Sequence, residues 1–137
     1  MRDFNLEAKV SDLLGKTLSQ IIVKRDENER IFEITFITRE EEKYFMYHSQ
    51  DCCECVSVED INGDLDDLLG YPLLQAEEST NKTDTLGLIE YPESFTWTFY
   101  KFATIKGYVT IRWLGESNGY YSEEVEFMKE EANEIQK

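Results

Sequence analysis

The chain has 137 residues, of which 41% are apolar and 13% aromatic, enough to fill the core of one domain of ordinary size spanning residues 1–137. Its 29 acidic side chains against 14 basic ones give a formal net charge of -15. That sign argues against direct binding of nucleic acid and for either association with basic surfaces or solubility alone.

In chain order, Leu6 to Leu18 reads as a short helix broken at Gly15, with Ser11 as a cap ahead of Asp12. The start of the chain shows no basic patch followed by an apolar run. No stretch approaches the ~20 apolar residues of a membrane-spanning helix, so a cytosolic protein that does not engage membranes is expected. From Ser19 the pattern turns to β. QIIVKR, the polar turn DENE at 26 to 29 and RIFEITFIT form a hairpin by alternation and punctuation. A second acidic turn, REEE at 39 to 42, leads into KYFMYH, a strand that delivers His48 to its end. VSVEDI continues as strand, DLDDLL at 64 to 69 reads as one or two helical turns stopped by Gly70 and Pro72, and LLQAEES as another short strand. Ser79 to Ser94 mixes turn formers with few apolar anchors and reads as a surface loop. Phe95 to Ile105, Tyr108 to Gly115 and Ser122 to Phe127 then make a three-strand meander, with Val109, Ile111 and Trp113 on the core face of its middle strand. The ending MKEEANEIQK is a solvated helix or a frayed tail. The expected fold is α+β: an antiparallel sheet of about six to eight strands with one or two short helices.

Chemistry concentrates in YHSQDCCEC. His48, Cys52, Cys53 and Cys55 are the only histidine and all the cysteines of the chain, and imidazole and thiolate are zinc ligands. A zinc site is therefore the leading local hypothesis. The spacing H-x3-C-C-x-C lacks the paired C-x2-C elements of ribbons and fingers. The competing reading makes the cysteines small core residues and His48 a strand cap. Adjacent cysteines are poorly placed to bridge each other, so reduced thiols are expected. Catalysis is not: Asp51, Glu54, Glu59 and Asp60 surround the thiols with negative charge, and no oxyanion-hole loop is apparent.

The run EDINGDLDDLLG departs from a calcium-loop spacing and reads as a negative face. Its carboxylates, Glu59, Asp60, Asp64, Asp66 and Asp67, could occupy a basic groove built for DNA. A second function class is a sponge for a host immune-signalling nucleotide, with Arg112, Trp97, Tyr120 and Tyr121 lining its pocket.

The blocks from Met46 to Glu78 and from Glu93 to Phe127 resemble a small uncharacterised domain of bacteriophage and prophage genes. In length and acidity the chain also resembles the type II-A anti-CRISPR proteins, one family of which binds zinc and stops target DNA from loading onto the RNA-guided nuclease. The resemblance implies a non-enzymatic inhibitor of a type II CRISPR nuclease, acting in the host bacterial cytoplasm without touching nucleic acid itself. It maps His48, Cys52 and Cys53 onto a structural zinc site, leaves Cys55 as the doubtful ligand and leaves the N-terminal hairpin outside the match.

Overall fold

A computed structural model describes residues 5–84, 94–118 and 121–131. Among the described residues nine antiparallel strands form two sheets. The first sheet carries β1 (Asn5–Glu7), β9 (Glu126–Glu130), β4 (Lys43–Tyr47), β3 (Ile31–Thr38) and β2 (Leu18–Arg25), in that order across it. The second carries β5 (Cys55–Asn62), β8 (Gly107–Ser117), β7 (Ser94–Thr104) and β6 (Gln75–Asp84).

The core lies between the sheets, because alternation on each strand sends one row of large side chains inward. Ile34 and Phe36 of β3, Tyr44 and Met46 of β4 and Phe127 of β9 face Tyr100 and Phe102 of β7 and Val109, Ile111 and Trp113 of β8, all buried. Contact across the gap is direct. Phe36 and Phe102 have ring centroids 5.5 Å apart, and the Trp113 indole N–H points at the Met46 sulfur at 3.2 Å. The expected core face of Val109, Ile111 and Trp113 is therefore the observed one.

The expected α+β class is overturned. The described residues hold no α-helix, only two single 3-10 turns at Val10–Leu13 and Leu65–Leu68. The first ends because Leu14 is already extended, and Leu18, expected as helix, begins β2. The second sits between Gly63 and Gly70, whose φ angles of 116° and 87° lie in the left-handed region. One turn is all that this interval allows.

The hairpin of β2 and β3 forms as expected, closed by Asp26, whose carboxylate accepts from the backbone of Asn28 and Arg30. β6 extends to Asp84 along β7, so the expected loop from Ser79 is strand over its first residues, and 85–93 lie outside the described residues. β6, β7 and β8 form a meander, but Ser122 to Phe127 does not complete it. β9 pairs with β4 and β1 in the other sheet. Hydrophobic alternation specifies which side of a strand is buried, not which neighbour it pairs with. Met128–Glu130 belong to β9, and 132–137 lie outside the described residues. No helix among the described residues is long and apolar enough to cross a membrane.

Candidate functional site: the crossover hub at His48 and Glu54

The chain passes between the sheets through residues 48–54, after β4, and returns after β8, with described residues 121–125 leading into β9. Both crossovers lie at the same end of the molecule, and His48 joins them. Its Nδ1 is 2.7 Å from the Glu124 carbonyl oxygen and its Nε2 is 2.7 Å from a Glu54 carboxylate oxygen. Both ring nitrogens face oxygen atoms, so the ring ties the Glu124 carbonyl to the Glu54 carboxylate. The pair is dry: the side chains are 3% and 0% exposed.

Glu54 is the centre around which the loop turns. Its carboxylate accepts from the backbone N–H of Asp51 at 2.7 Å and of Cys52 at 2.9 Å, and the Gln50 side-chain amide donates to the Glu54 carbonyl at 2.6 Å. Burial pushes this carboxyl up, but the hydrogen bonds from His48 and from the Cys52 and Asp51 amides together outweigh it and hold the group at about 2. The sequence reading missed Glu54 because it lies among the cysteines and counted there only as negative charge. The available signal was that one carboxylate inside a tight polar loop following a histidine strand has several backbone donors within reach.

Cys52 and Cys53 are exposed, which removes the reading of them as small core residues. Their sulfurs are joined in a vicinal disulfide, where reduced thiols are expected from the sequence. Cys55 is a free, exposed thiol, and the Arg30 guanidinium donates to its sulfur at 2.9 Å. Among the described residues no three histidine, cysteine or acidic side chains are grouped as a metal would need. In this arrangement His48, Cys52 and Cys53 do not fit zinc: both imidazole nitrogens are engaged and the two sulfurs are bonded to each other, so neither is a thiolate.

The acidic run is divided between structure and surface. Glu59 sits at a bulge in β5, where the register with β8 shifts between Val58 and Asp60. There it accepts from Arg112 Nε at 3.0 Å. Arg112 in turn lies 5.3 Å from the Trp97 ring centroid. Asp64 caps the second 3-10 turn by accepting from the Asp66 amide at 3.0 Å. Asp67 lies tight against Gly107, where an added Cβ would come within 2.9 Å of its carboxylate, and its carbonyl accepts from the Thr104 hydroxyl. Asp60 and Asp66 are exposed, and no hydrogen bond or ion pair engages their carboxylates among the described residues.

Of the four residues expected to line a nucleotide pocket, Arg112 and Trp97 meet on the outer face of the β7–β8 pair. Tyr121 lines a cavity with the inward-facing Thr96 and Thr98, and Tyr120 lies outside the described residues.

No curated protein and no solved structure matches the chain. The family match spans the N-terminal hairpin, which the sequence reading left out, as well as the hub and both crossovers. The profile of DUF7448, a domain of unknown function, covers residues 11–127, and the chain belongs to that family.

Proposed function

We propose that this chain is a non-catalytic acidic ligand that seats the carboxylates of its β5 edge in a basic groove of a partner protein. The groove is the DNA-loading channel of a type II RNA-guided nuclease in the host bacterial cytoplasm, as the resemblance to phage inhibitors implies. The observation that carries the reading is the exposed pair Asp60 and Asp66, unengaged among the described residues, in a molecule of net charge -15. Asp60 belongs to β5, an edge strand of its sheet, and Asp66 to the 3-10 turn that follows it, with Glu59 of β5 adding a half-exposed carboxylate shared with Arg112. Such a channel is basic and grips nucleic acid through phosphate contacts, which surface carboxylates can replace.

Binding and cleavage assays with a purified type II nuclease at physiological salt test this. Association that weakens steeply with salt and is lost in the double variant Asp60→Lys, Asp66→Lys is the expected result. A protein that neither binds nor inhibits any such nuclease sinks the reading.

Zinc enters this proposal only for the reduced chain. The Cys52–Cys53 bond has to open and His48 has to release one nitrogen before the three can act as ligands. Metal analysis of untagged protein purified with reductant decides the point. Near-stoichiometric zinc that disappears in His48→Ala makes zinc part of the fold, whereas zinc-free folded protein leaves the hub to Glu54 alone.

A further inference from the structure

A cavity of about 480 Å³ opens where the inner face of β6 and β7 runs beyond the packed core and is roofed by the returning crossover. Glu78 and Thr80 of β6, Thr96 and Thr98 of β7 and Glu123 and Glu124 of the crossover line it. Gly115 makes the roof possible, since a Cβ there would lie 2.8 Å from Glu123.

The polar groups of this cavity are unbalanced in sign. Glu123 is 6% exposed and accepts from the hydroxyls of Ser94 at 3.3 Å, Thr96 at 2.6 Å and Ser117. Glu78 accepts from the Tyr100 hydroxyl at 3.4 Å, and burial is the main influence raising its carboxyl above the ordinary value, with the charge of Glu124 adding to it. Among the described residues no lysine, arginine or histidine side chain pairs with any of the three. Thr98 is the independent observation. Its residue is 1% exposed and lines the cavity, yet its hydroxyl has no hydrogen-bond partner among the described residues. A buried hydroxyl without a partner is costly and rare.

We propose that this cavity binds a small organic cation, an alkylammonium or guanidinium group, with Glu78, Glu123 and Glu124 supplying the counter-charge and Thr98 accepting one of its N–H bonds. The volume lies within the range of about 300 to 1,000 Å³ usual for small-molecule sites. A bare metal ion is a poorer occupant, because no three carboxylates among the described residues converge at ligand spacing. A cation with several N–H donors on a carbon frame reaches carboxylates set apart and uses the threonine hydroxyls as well. The site does not depend on the acidic edge of β5, which lies on another strand.

The test is a titration of the full chain at physiological salt with two probes, spermidine and a short arginine-containing peptide, followed by calorimetry and by the methyl resonances of Thr96 and Thr98. Saturable heat with matching shifts of those methyls in the wild type is the expected result. Glu78→Gln with Glu124→Gln, and separately Thr98→Val, should each weaken binding by about tenfold or more, while Glu27→Gln, a charge change in the β2–β3 turn, leaves it within about twofold. Binding of spermidine alone identifies a free cation, and binding of the peptide alone a partner's side chain. Linear unsaturable heat, or equal weakening in Glu27→Gln, shows mere attraction to an acidic surface and overturns the proposal.

Discussion

At the scale of single residues the cluster that stands out in the sequence is built around a residue that does not. His48 touches both crossovers, yet the backbone of the first is organised by Glu54. Removing one partner of a buried hydrogen-bonded pair leaves the other unsatisfied, which costs more than the pair contributes. His48→Ala and Glu54→Gln should each lower the urea midpoint clearly, and the two together should cost far less than the sum, because they remove one shared interaction. Additive losses would show that the histidine and the carboxylate act separately. Thiol counting gives a second residue-scale prediction. Without reductant the native chain should titrate one thiol, Cys55, and after reduction three. Three thiols before reduction would remove the Cys52–Cys53 bond and return both residues to the pool of metal ligands.

At the scale of elements, Glu42 fastens three pieces of the first sheet. Its carboxylate takes Lys16, ahead of β2, at 3.0 Å and Lys129 of β9 at 3.2 Å, from its own place in the β3–β4 turn. The hydrogen bond from Lys16 lowers this carboxyl below 4.5, burial opposes the shift and Lys129 adds to it. A lowered folded value means that the contribution is complete above the unfolded pKa and fades as pH falls through the folded one. The stability advantage of the wild type over Glu42→Gln should therefore be constant from neutral pH down to about 5 and vanish under more acidic conditions. An advantage that persists at low pH would show that shape, not charge, makes Glu42 matter. The β2–β3 hairpin and the inward row of β8 are legible in the sequence because both follow from local alternation and turn chemistry. The destination of β9 is not, because pairing with β4 and β1 is decided by two crossovers whose meeting depends on His48 and Gly115. The two 3-10 turns mimic helices for a related reason: Val10 and Leu13, and likewise Leu68, are spaced as in a helix but serve as single plugs under the sheets. Of the candidate site, the location is legible and the chemistry is not. Sequence spacing places His48 near the cysteines, but only the folded loop turns Glu54 inward and the sulfurs outward.

For the whole molecule the net charge of -15 acts on folding and on association in opposite directions. Self-repulsion among surplus carboxylates opposes the compact state. The ion pairs of lysine and arginine among the described residues engage only Glu33, Glu42 and Glu59, and the three that leave both partners partly exposed contribute at most about 1 kcal/mol each. Repulsion thus outweighs attraction, and salt should relieve it, since the Debye length shrinks from about 30 Å at 0.01 M to about 10 Å at 0.1 M. The melting temperature should therefore rise as sodium chloride is increased over that range, while the affinity for any basic partner falls over the same range. A melting temperature that drops with salt would mean that the few ion pairs outweigh the surplus charge. A partner whose affinity ignores salt while the fold still responds would place the interface on apolar surface and separate the acidity of this chain from its recognition.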